Sequence, residues 1–128
     1  MITSSLFYKL LHQNFLFHPT VKQNLFFQKI ADFLIATSND EIFVLKGYAG
    51  TGKTTIISTV INHLEAINMK CVLLAPTGRA AKVISNYSGK PAYTIHKRIY
   101  FPKKSKSGGV SFTLQQNKFK NTIFIVDE

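Results

Sequence analysis

The sequence predicts an α/β fold: a parallel sheet flanked by helices, with a small β-hairpin inserted. Three observations carry that expectation. Apolar runs of strand length at 42–46, 71–75 and 122–126 alternate with longer stretches at helical spacing, the order of parallel strands joined by helical crossovers. A glycine-rich turn joins the first of these runs directly to a helical one. Late in the chain, Tyr100-Phe101-Pro102 and the run at 110–114 flank a lysine- and glycine-rich tip, 103–109, as the arms of a hairpin do.

Each element has its own signal. Ile2, Leu6, Leu10 and Phe15 fall at helical spacing and predict an amphipathic N-terminal helix. It ends before Pro19, because proline disfavours helix in the residue preceding it. Thr20 with Gln23 three positions on forms a capping box. The stripe Val21, Leu25, Phe26, Ile30, Phe33 and Leu34 then predicts a core-facing helix over 20–36. Ser38-Asn39-Asp40 reads as a turn. A strand over 42–46 leads to a helix over 53–67, and a second strand follows at 71–75. Pro76-Thr77-Gly78-Arg79 turns into a short helix over 80–85, 94–99 forms a helical turn, and the third strand ends at Asp127-Glu128.

A chain of 128 residues can form one domain with a modest core. Apolar residues make up 45 %, 11 of them Phe, a globular composition. Cys71 stands alone, which excludes an internal disulfide and a cysteine-rich zinc site, and its apolar run suggests a buried thiol. His12, His18, His63 and His96 lack metal-ligand spacing. No apolar run reaches the length of a membrane span, and Lys9 and His12 interrupt the N-terminal segment. A cytoplasmic, intracellular protein is expected. Net charge is +10, yet the distribution says more: ten basic residues and no acid lie between Arg79 and Val126. Such one-sidedness points to a polyanionic partner, or to a solvated basic surface.

The chemistry starts at Gly47-Tyr48-Ala49-Gly50-Thr51-Gly52-Lys53-Thr54, the phosphate-loop pattern G-x-x-x-x-G-K-[ST]. Glycines let the backbone curl so that successive amides surround a phosphate. Gly47, Gly50, Thr51, Gly52, Lys53, Thr54 and Thr55 are therefore the candidate nucleotide-binding residues. Lys53 reaches the β- and γ-phosphates, Thr54 takes one position on Mg²⁺, and the helix N-terminus adds its positive end. Downstream, Ile123-Phe124-Ile125-Val126-Asp127-Glu128 supplies the usual partner motif. Asp127 suits Mg²⁺, generally through water, and Glu128 can orient or deprotonate an attacking water. An ordinary strand end followed by an acidic turn would look the same in isolation.

Four segments, in order, resemble superfamily 1 DNA helicases, most closely the RecD-like and Dda-like branch: LKGYAGTGKTT, LLAPTGRAAKVIS, Thr94-Ile95-His96 and IFIVDE. The resemblance covers about two-thirds of the chain, 45–128. It implies the N-terminal part of a RecA-like, P-loop ATP-binding domain over 20–128, preceded by an N-terminal segment at 1–19 and interrupted by the hairpin insertion at about 100–114. It implies ATP and Mg²⁺ as cofactors and ATP-dependent 5′-to-3′ movement on DNA. Catalysis then rests on Lys53 and Glu128. Gln23 is implied as the glutamine that reads adenine, whose N6 and N7 a carboxamide pairs bidentately, although Gln23 equally suits the capping box. Pro76, Thr77, Arg79, Thr94 and His96 are placed near single-stranded DNA. Arg79 and the adjoining helix amides could hold a phosphate, and His96 could stack on a base or be a satisfied structural histidine.

The resemblance also implies parts beyond Glu128: a glutamine-containing coupling motif, an arginine for the γ-phosphate and a second RecA-like domain, the remaining partner for translocation. In the family's sheet the strand after the Asp-Glu motif lies between the phosphate-loop strand and the Asp-Glu strand. An exposed apolar patch or self-association is thus expected of this chain, with weak nucleotide binding and little or no turnover. Two alternatives stand beside a helicase motor: a non-catalytic nucleotide- or nucleic-acid-binding fragment, and a phosphate-loop kinase of a small metabolite.

Overall fold

The computed structural model describes residues 2–36, 41–47 and 52–127. These fall into two compact units, 1–69 and 70–128. The expected turn at Ser38-Asn39-Asp40 lies outside the described residues, as do Gly50, Thr51 and Glu128.

The first unit is helical. Helix α1 (Ser4–Asn14) opens at Thr3, whose hydroxyl accepts from Leu6 N. Its buried face is Phe7 and Leu11, continued by Phe15, and Leu6 is 52 % exposed. Phe15 is buried as expected, whereas the rest of the expected stripe, Ile2, Leu6 and Leu10, is displaced by one residue. Both stripes have helical spacing, and the larger Phe7 and Phe15 rings win the interior; Phe15 meets Phe27 edge to face at 5.3 Å.

Helix α2 (Val21–Ile35) carries the predicted capping box: Thr20 Oγ1 accepts from Gln23 N, and Gln23 Oε1 accepts from Thr20 N. Its buried residues are Phe26, Phe27, Ile30, Ala31 and Leu34. Val21 and Leu25, expected in the core, are exposed; at 3.6 residues per turn they fall on the side of the helix opposite Phe27, Ala31 and Leu34. Tyr8 and Ser4 of α1 donate to Asn24 and Asp32 of α2, which ties the two helices along their polar margins.

Residues 41–47 do not form the expected strand. They keep the alternation of one, with Phe43 and Leu45 half-buried and Ile42 and Val44 exposed. Phe43 packs against Phe26 and Phe33 at 5.8 and 5.5 Å. Among the described residues this segment has no ladder partner, and a strand is defined by its hydrogen-bonded neighbour. Helix α3 (Lys53–His63) buries Ile56, Thr59, Val60 and Ile61. A 3₁₀ turn, Leu64–Ile67, extends it to the predicted end, stopped by Asn68 in the left-handed region at φ 56°.

The second unit contains a three-stranded parallel sheet, flanked by helix, in the order β2 (Ala92–Thr94), β1 (Lys70–Ala75), β5 (Thr122–Val126). Strand β1 (Lys70–Ala75) is central and buries Val72 to Ala75. Strand β5 (Thr122–Val126) pairs with β1 from Lys70↔Thr122 to Leu74↔Val126. Strand β2 (Ala92–Thr94), absent from the sequence reading, pairs on the other side; three residues carry too little periodicity to be seen. Helix α4 (Gly78–Ser88) runs three residues past its expected end, to Gly89 at φ 69°. Its Ala81, Ile84 and Ser88 are buried.

Helix α5 (Ile95–Ile99) leads into the antiparallel hairpin β3 (Tyr100–Lys104) and β4 (Val110–Leu114). The loop is 105–109, shorter than expected, because Lys103 and Lys104 pair within the ladder. Gln115 N donates to the Ile99 carbonyl at the hairpin's base. Arg98 of α5 stacks its guanidinium on Tyr93 at 4.5 Å and on Phe119 at 5.2 Å, which fastens the segment before β5 to this helix.

Candidate nucleotide and nucleic-acid sites

In the first unit the described phosphate-loop residues are Gly47 and Gly52 to Thr55, the latter at the start of α3. Gly52 is its N-cap with φ 82°, a left-handed conformation that only glycine adopts cheaply. Among the described residues no side chain caps this end, and the first amides of a helix are an anion-binding feature. Lys53, the first helical residue, donates from Nζ to the Gly47 carbonyl, which draws the two ends of the motif together. Thr54 is exposed and Thr55 half-buried, one step along the same turn.

Gln23 arrives at this place from α2. A Cβ on Gly52 would lie 2.7 Å from Gln23 Nε2, so the carboxamide abuts the helix cap. Its oxygen serves Thr20 N at 2.9 Å. A carboxamide oxygen has two lone pairs, so capping α2 leaves one free. The two readings of Gln23 are therefore compatible.

In the second unit, Asp127 follows β5, its N–H donating to the Leu74 carbonyl at 3.1 Å. Its Oδ2 accepts from the Tyr87 hydroxyl of α4 at 2.9 Å. Burial, and then the Asp127 carboxylate, push the Tyr87 phenol far above its ordinary pKa, so the phenol is the donor at neutral pH. Nothing in the sequence marked Tyr87: it lies 40 residues from Asp127.

Pro76, Thr77 and Arg79 are exposed around the start of α4, where Thr77 Oγ1 accepts from Ala80 N at 3.1 Å. Thr94 caps α5 in the same way through Lys97 N at 3.2 Å. A groove of about 300 Å³ runs between these caps, lined by Gly78 and Thr94 and by two lysines the motif reading passed over, Lys82 and Lys97. Their signal was present as part of the acid-free basic stretch. His96 is exposed but engaged, its ring 4.9 Å from Tyr100 and 4.4 Å from Phe112 of the hairpin. The structure thus joins Thr94 to the α4 start and assigns His96 to the hairpin base.

Comparison with known proteins follows the same lines. The profile of a family described as an AAA domain matches residues 30–128. The chain is 34 % identical over 69 residues to the ATP-dependent RecD2 DNA helicase of Deinococcus radiodurans, a match covering 54 % of this chain and 10 % of that protein. It is 45 % identical over 53 residues to the ATP-dependent DNA helicase dda of Enterobacteria phage T4, covering 41 % and 12 %. Over 105 residues it is 31 % identical to the multifunctional conjugation protein TraI of Escherichia coli, covering 79 % and 6 %. The chain belongs to this family of AAA domains. Within it, the chain resembles superfamily 1 DNA helicases of the RecD-like and Dda-like branch. No solved structure matches it significantly. Among the described residues, no helix is long and apolar enough to cross a membrane.

Proposed function

We propose that this chain is an ATP-binding and ATP-hydrolysing segment of an ATP-dependent DNA helicase motor that moves 5′ to 3′ on single-stranded DNA. The observation that carries it is the start of α3, where an uncapped helix N-terminus, a left-handed Gly52, Lys53 and Gln23 meet. That is a triphosphate cradle with an adenine-reading side chain beside it. Kinship with ATP-dependent DNA helicases adds the substrate.

The roles follow from chemistry. Lys53 neutralises the β- and γ-phosphates, and the loop amides, those of Gly50 and Thr51 included, hold the oxygens. Among the described residues, no cluster of three His, Cys, Asp or Glu could hold a metal alone. The oxygen donors Thr54 and Asp127 suit Mg²⁺, which takes one or two protein oxygens, waters and substrate phosphates. When bound, Mg²⁺ neutralises charge developing on the phosphoryl group. Glu128 orients the attacking water and accepts its proton. Pro76, Thr77, Arg79, Thr94 and His96 contact the DNA backbone and bases, with Lys82 and Lys97 beside them.

The second reading is a non-catalytic nucleotide- or nucleic-acid-binding fragment; it is favoured by residues 41–47, which lack a sheet partner beside the phosphate loop. Phosphate release from ATP, with and without single-stranded DNA, separates the two. Turnover stimulated by DNA and lost in Lys53→Ala and Glu128→Gln supports the motor reading. Retained ATP binding without turnover in the unaltered chain returns the second.

A further inference from the structure

We infer that Tyr87 is the positioning residue of the carboxylate assigned to the metal, fixing Oδ2 of Asp127 so that Oδ1 would be the oxygen offered to Mg²⁺. The inference rests on the assignment of Asp127 to the metal under the proposed function.

A carboxylate at a strand end turns about two side-chain torsions. A metal ligand that must first be frozen loses affinity to that ordering. Here the backbone is already held, because Asp127 N–H bonds the Leu74 carbonyl. The Tyr87 hydroxyl then fixes one oxygen, at 2.9 Å. Hydrogen bonds of this kind to ligating carboxylates orient them and tune metal affinity.

The choice of a phenol matters. The chain from Arg79 to Val126 offers ten basic side chains, any of which would partly neutralise the carboxylate if it bonded there. A neutral donor orients Asp127 and leaves its negative charge for the cation. Tyr87 can do this because α4 is anchored on the side facing the core: Ala81, Ile84 and Ser88 are buried. Ile84 and Ser88 lie three residues before and one after Tyr87, so the helix cannot rotate on β1 and β2, against which it packs, without exposing them. The phenol is itself half-buried and therefore restricted in its rotamers.

The test is the binding of a fluorescent ATP analogue to the full 128-residue chain, titrated with Mg²⁺, for the wild type, Tyr87→Phe and Asp127→Asn. Tyr87→Phe keeps the ring and removes only the donor. The expected result is a Mg²⁺ midpoint raised by about tenfold, the lower end of what losing such a partner costs, with wild-type nucleotide affinity restored at saturating Mg²⁺. Three outcomes overturn the inference. An unchanged midpoint in Tyr87→Phe, with Asp127→Asn shifted, removes Tyr87 and keeps Asp127 as the ligand. Affinity lowered at every Mg²⁺ concentration makes Tyr87 a packing residue only. A Mg²⁺ midpoint in Asp127→Asn equal to that of the wild type removes the metal assignment and this inference together.

Discussion

Gly52 shows how much one residue's freedom can hold. Its φ of 82° is open to glycine, and an added Cβ would come within 2.7 Å of Gln23 Nε2. Gly52→Ala therefore meets two separate penalties. The left-handed backbone costs about 1–2 kcal/mol for a residue with a Cβ, whereas the contact falls on the end of a flexible side chain that can move. Denaturant unfolding should show the backbone loss in Gly52→Ala, and Gln23→Ala added to it should not recover that loss, because the strain lies in the backbone and not in the contact. Cys71 is a second test at this scale. It is half-buried, and burial raises its thiol pKa against the smaller opposing effect of Lys90. A raised pKa means less thiolate at neutral pH, and the thiolate is the nucleophile. Iodoacetamide at pH 7 should thus label native Cys71 more slowly than the denatured chain, as followed by mass spectrometry.

At the scale of elements, local signals and packing signals separate. The start of α2 was readable because Thr20 and Gln23 stand three apart and satisfy each other's backbone amides. Thr20→Ala should cost about 1 kcal/mol of stability, within the usual range for a lost cap, read from the denaturant midpoint. The backbone N–H that Gln23 Oε1 holds is untouched by this change, so ATP affinity should fall less than stability does. The face of α1 was not readable. Leu6 and Phe7 are adjacent in sequence and both begin an apolar i, i+4 pair, with Leu10 and Leu11. Only the neighbouring α2 decides that Phe7 and Leu11 are fully buried and Leu6 is half exposed. Strand β2 was invisible for the related reason that its three residues become a strand only through pairing with β1. The hairpin, by contrast, was legible from its two apolar arms and its glycines, Gly108 taking φ 85° in the loop.

At the scale of the whole molecule, the chain leaves apolar surface open. Ile42 is 87 % and Val44 67 % exposed. Strand β5 has β1 on one side in the sheet, and its Phe124 and Val126 are partly exposed. Unpaired extended backbone with apolar side chains favours association. Sedimentation at rising concentration should show association of the wild-type chain, reduced in Val44→Lys, a change at an exposed position that leaves Phe43 on Phe26 and Phe33.

The division between sequence and structure follows the range of the forces. Residues close together in the chain set the phosphate-loop spacing, the caps at Thr20, Thr77 and Thr94, the hairpin and the strand-type runs, because each depends on a single turn or a short alternation. The sequence by itself therefore determined the class of fold and the family. Tertiary structure alone decided which stripe of α1 is inside, that 41–47 has a strand's alternation without a strand's ladder, that Gln23 lies against Gly52, and that Tyr87 reaches Asp127. Those are contacts between segments far apart in the chain, and their geometry exists only once the intervening chain has packed.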